Sequence, residues 1–121
     1  MPNAKATHYR LAEMPQDEPM PLARRRLIRG EQAMLAEIFV DKGCDTPIHA
    51  HENEQFAVLL SGRLRLTVAD GAGGATRDVV LEAGDVLHLP GNVPHGATAL
   101  EDCRILDIFS PPSETTGIDQ G

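Results

Sequence analysis

The sequence predicts an all-β domain, a β-sandwich or small barrel of short strands. Three observations predict it. Short apolar runs follow one another along the chain, separated by turn residues drawn from 11 glycines and 9 prolines. Residues 64–69 read Leu, Arg, Leu, Thr, Val, Ala, a period near two that suits a strand with one wet face. Only Gln32–Val40 could compete as a helix, because it holds the helix formers Met34, Leu35, Ala36 and Glu37, and its neighbours favour a strand there.

The elements follow in order. Residues 1–25 hold Pro2, Pro15, Pro19 and Pro21, each fixing φ and removing a donor. They are expected to form an arm, able to pair along a sheet edge or across a dimer. The barrel is expected over 26–112. Strands over 26–30 and 32–40 bracket a Gly30-Glu31 turn, and Asp41-Lys42-Gly43 is a second turn. Strands over 55–60 and 64–69 flank Ser61-Gly62, which reads as a tight hairpin. The Gly-rich stretch 70–74 is a further hairpin loop. Residues 79–81 form a short strand ended by Glu82-Ala83-Gly84-Asp85. The run 86–89 stops at Pro90-Gly91, and 104–109 stops at Pro111-Pro112. Runs other than 64–69 are continuously apolar, as in strands covered on both faces. The polar tail 113–121 is expected to be frayed and flexible.

A length of 121 residues fits one domain able to bury a core without staples. Aromatic residues are 3% with no Trp, so that core is mostly aliphatic. The formal charge of -7 argues against nucleic acid or an anionic membrane as the partner. Arg24, Arg25, Arg26 and Arg29 run against that charge. They suit a solvated strand edge, a dimer contact or a contact to a substrate anion. Cys44 and Cys103 lack CxxC spacing and read as free thiols of a reducing, cytoplasmic compartment. No run approaches the roughly 20 apolar residues of a membrane span.

Chemistry concentrates in the string His49-Ala50-His51-Glu52-Asn53-Glu54-Gln55 and in Gly91-Asn92-Val93-Pro94-His95. Alternate residues of a strand share a face, so His49 and His51 can enter one cavity. A barrel can bring His95 opposite them. Three imidazoles and the Gln55 amide suit one divalent transition metal, with Ni, Zn, Fe and Mn all compatible. An isolated HxH is equally a piece of polar surface. His8 is expected in solvent. His88, inside 86–89, is a candidate for a core histidine or a further member of the site. Asp107 interrupts the apolar run Ile105-Leu106-Asp107-Ile108-Phe109. Burying a carboxylate there is costly unless it is paired, protonated or used for proton transfer.

Gly43, His49, His51, Gln55 and Gly62 resemble the first cupin motif; Gly84, Pro90 and His95 resemble the second. The resemblance covers about residues 30–110 and implies a double-stranded β-helix (jelly-roll) barrel, usually a homodimer, with a metal in its mouth. Gln55 stands where most cupins carry Glu. HENEQ followed by VLLSGRL, and the ending PGNVPHGATALEDCRILDIFSPP, are similar to the KdgF-type pectin-degradation cupins. That resemblance implies ring opening and ketonisation of 4,5-unsaturated uronates, an isomerase-type reaction of carbohydrate metabolism. It implies metal ligands at His49, His51, Gln55 and His95, a proton-transferring carboxylate at Asp107 and a substrate-pocket aromatic at Phe109. Ser113 departs from the family's usual Arg, which would hold a substrate carboxylate. Arg24, Arg26, Arg63 and Arg65 are candidates to replace it. Two other functions use the same residues: a cupin dioxygenase with iron on the imidazoles, and a non-catalytic sugar or small-molecule binding module.

Overall fold

The computed structural model describes residues 5–113. Ten strands make up nearly all of its regular structure: β1 (Asp17–Met20), β2 (Ala23–Arg29), β3 (Met34–Val40), β4 (Asp45–His49), β5 (Glu54–Ser61), β6 (Arg63–Val68), β7 (Arg77–Glu82), β8 (Val86–Leu89), β9 (His95–Ala99) and β10 (Cys103–Ser110). They form a six-stranded sheet in the order β1-β2-β3-β10-β5-β8 and a four-stranded sheet in the order β4-β9-β6-β7. All strand pairs are antiparallel, and the two sheets face each other across one core. This is the double-stranded β-helix expected.

β10 holds the larger sheet together, pairing with β3 on one side and β5 on the other. Its alternation places Cys103, Ile105, Asp107 and Phe109 inward. β3 is a strand in spite of its helix formers, because both of its edges are hydrogen-bonded, to β2 and β10. Tertiary pairing overrides so small a propensity difference. Met34, Val68, Leu89 and Phe109, all nearly inaccessible, fill the level of the barrel that also carries Gln55 and His95.

Three expectations change. Ser61-Gly62 is not a hairpin. β5 pairs with β10 and β8, whereas β6 pairs with β7 and β9, so the chain passes there from one sheet to the other. Gly62 makes the corner at φ +92°, where an added Cβ would collide with the Asp102 carbonyl oxygen. The sheet also begins earlier than residue 26. β2 starts at Ala23, and β1, within the expected arm, pairs with it at the sheet edge. Finally, β5 and β8 are covered on one face only, leaving Phe56, Leu60 and Val86 exposed. The tail lies outside the described residues except for Ser113, whose carbonyl accepts a 2.6 Å bond from Arg29. Among the described residues no helix is long and apolar enough to cross a membrane.

Candidate metal centre

His49 ends β4, His95 begins β9, and the two are register partners across the smaller sheet. His51 follows in the short connection to β5. The three ring centroids lie 4.6–5.6 Å apart. One ligand atom from each ring lies within 4.8 Å of the others. His95 is buried; His49 and His51 are partly exposed, on the approach side.

Each ring is held by the backbone. The Nδ1–H of His49 donates to the Pro47 carbonyl at 3.0 Å, that of His51 to Asn53 at 3.0 Å, and that of His95 to Val93 at 2.8 Å. With Nδ1 protonated in this assignment, Nε2 carries the lone pair on all three rings. Burial lowers the His95 pKa to about 4, only partly opposed by the Val93 carbonyl and reinforced by its two histidine neighbours. The ring is therefore neutral and ready to ligate at neutral pH.

Gln55 sits in β5 beside them, 5% exposed. Its Oε1 faces the His51 Nε2 at 3.2 Å. In the assigned tautomer both atoms are acceptors, a contact that a shared cation satisfies. Adjacent ligands about 2.1 Å from one ion would stand about 3 Å apart. The donor set thus fits a divalent transition metal with no charged ligand. The other end of the Gln55 amide hydrogen-bonds to Asp107.

Asp107 projects from β10 and is buried. Burial pushes its carboxyl up to about 7, partly opposed by the Gln55 bond. Its Oδ1 is the buried side-chain polar atom that lacks a hydrogen-bond partner among the described residues. His49, Gln55, His95 and Asp107 line one cavity of about 60 Å³. Thr46 is the other polar wall residue apart from the Cys44 thiol, and the remainder is apolar, including Ile38, Leu64, Leu66 and Ile105.

Phe109 is fully buried, edge-on to the His51 ring at 5.7 Å, and is not part of the cavity wall. It supports the His51 ring, because β10 places it level with Gln55. His88 is not at the site. It points outward from β8, stacks on Phe56 at 4.6 Å and meets Glu54 at 2.6 Å, while its neighbour Leu89 turns inward. Arg24 pairs with Asp41, Arg26 with Glu37 and Arg63 with Glu82. Neither these nor Arg65 line the cavity. Sequence reading missed Thr46 and the wall position of Cys44, for which no sequence signal exists. It also passed over Asn53, which lies inside the motif. Its carbonyl holds His51, while its amide donates to the Pro111 carbonyl at 2.6 Å. Cys44 and Cys103 are both free and buried.

A barrel of two facing antiparallel sheets with a three-histidine cluster inside defines a class. The cupin domain model matches residues 36–109, most of the chain, and the protein belongs to the cupin family. Among solved structures it is similar to KdgF from Halomonas sp., at 25% identity over 91% of this chain and 97% of that one, with a TM-score of 0.79. It is similar to an RmlC-like cupin from Shewanella frigidimarina at 26% identity, over 90% and 95% of the two chains, with a TM-score of 0.77. Oxalate decarboxylase of Bacillus subtilis, a protein with Mn(II) centres, shares the fold at 18% identity, over 93% of this chain but 32% of its own, with a TM-score of 0.79. No curated protein sequence matches.

Proposed function

We propose that the protein is a metal-dependent isomerase-type enzyme that moves a proton on a small enol or carbonyl compound. The observation that carries this reading is the unpartnered Oδ1 of Asp107, held in the wall of the cavity that also contains His49, Gln55 and His95. A divalent ion on His49, His51, His95 and Gln55 would supply Lewis acidity toward a substrate oxygen. In its acid form Asp107 gives its proton to the carbon end of an enol, whose π pair forms the new C–H bond. The regenerated carboxylate then takes the hydroxyl proton as the C=O forms. The sum is an isomerisation with no oxidant. The Gln55 amide keeps the Asp107 carboxyl aimed, and the apolar wall excludes bulk water from the transferred proton.

Ring opening and ketonisation of a 4,5-unsaturated uronate is one member of this class, supported by the likeness to KdgF. The wall inside the histidines offers a carboxylate no cation, so the acidic group of such a substrate would remain at the mouth. The test is solvent-deuterium incorporation followed by NMR. Metal-loaded protein is given unsaturated galacturonate, unsaturated mannuronate and neutral β-diketones in D2O. Acceleration of at least one is expected. No acceleration of any over buffer rejects the reading, and tight binding without exchange would indicate a binding module.

A further inference from the structure

Beyond the histidines the cavity changes character. Its inner wall is aliphatic, formed by Ile38, Leu64, Leu66 and Ile105, and it holds no Lys or Arg among the described residues. The ionisable groups facing it are Asp107, the His49 and His95 imidazoles and the Cys44 thiol, which burial holds protonated. A substrate carboxylate pushed past the histidines, away from an ion held there, would lose its water and meet an aliphatic wall with no Lys or Arg to pair with. Arg26 and Arg104 cannot turn in to help, since both are bound to Glu37 on the opposite face of the sheet. A short alkyl group has no polar hydration to lose on entry and gains from leaving water.

We infer that the inner cavity is a specificity pocket for a short, uncharged apolar substituent, so that the substrate presents its oxygens to the histidines and an alkyl end to Leu64, Leu66 and Ile105. This rests on the proposed function only for the orientation of the oxygens.

The probe is a matched pair: a β-diketone with a propyl tail, and the same diketone with the terminal methyl replaced by a carboxylate. The chelating head is common to both, so the metal's share of the affinity cancels. Binding to Zn-loaded protein is followed by 13C-methyl NMR. The propyl compound is expected to bind at least about tenfold more tightly, a difference of about 1.4 kcal/mol, and to shift the methyls of Leu64, Leu66 and Ile105. Equal or tighter binding of the carboxylate, or methyls that do not move, overturns the inference. A Leu66→Ala variant should improve binding of a pentyl-tailed diketone relative to the native protein. Should that variant not fold, the comparison on native protein decides alone. Binding of the propyl compound without deuterium exchange would reject the proposed function and leave the pocket standing. Exchange with no preference for the alkyl tail would do the reverse.

Discussion

Two carboxylates are buried in the larger sheet, on adjacent strands and facing opposite ways. Glu37 lies on the outer face, 2% exposed, with Arg26 at 2.8 Å and Arg104 at 2.6 Å. Asp107 lies on the inner face, 7% exposed, with one oxygen bare and an amide as its polar partner. Burial raises the proton affinity of both. At Glu37 the two guanidinium groups reverse it, holding the carboxyl below the usual range. At Asp107 nothing does, and the carboxyl stays near neutral. The same sheet therefore makes a structural anion and a transferable proton, and the difference is whether arginines are supplied.

Breaking each half should give opposite results. Asp107→Asn keeps the shape and the Gln55 neighbour but cannot exchange a proton. Turnover on any accepted substrate should fall by about 10²–10⁴-fold, while metal content by elemental analysis stays the same. Unchanged rates would remove Asp107 from the chemistry. Glu37→Ala should leave turnover near native and cost about 3 kcal/mol in urea denaturation, since two guanidinium groups lose their partner. A loss below about 1 kcal/mol would mean that the Arg26–Glu37–Arg104 cluster is decorative.

The pH response should separate them further. The Asp107 pKa is raised on folding, so its stabilising share is complete below about 4 and is lost as pH rises through about 7. The Glu37 pKa is lowered, so its share is present above the ordinary carboxylate range and is lost as pH falls through its depressed value. Melting of metal-free protein should therefore show a decline between about pH 4 and about 7 that Asp107→Asn flattens and a decline below the ordinary carboxylate range that Glu37→Gln flattens. Interchanged or absent effects would contradict the assignment. The smallest difference lies within the outer cluster. Arg26 is 14% exposed and Arg104 45%. Arg26→Met should cost more than Arg104→Met, the latter under about 1 kcal/mol because solvent screens the exposed pair.

The metal cluster was legible because most of it is contiguous: strand alternation and one short loop bring His49, His51 and Gln55 together. His95 required the spacing of the second motif, since its pairing with His49 is a property of the smaller sheet and not of either segment. Asp107 was legible as a charge in an apolar strand. Glu37 was not, because it reads as one more helix former, and its arginines lie 11 and 67 residues away. The Ser61-Gly62 turn was misread for a different reason. A glycine at positive φ serves a hairpin and a corner between sheets equally, and only long-range pairing distinguishes them. Phe109 was located on the correct strand, but its depth along the barrel depends on register with Gln55, which sequence does not carry.

The three imidazole-to-carbonyl bonds hold the rings from outside the cluster and leave their Nε2 atoms to face one another. An ion held by those atoms would freeze little further side-chain freedom, because the backbone already restrains each ring. The same rigidity fixes the spacing of the donors, so an ion whose preferred bond lengths and geometry depart from that spacing would be held less well.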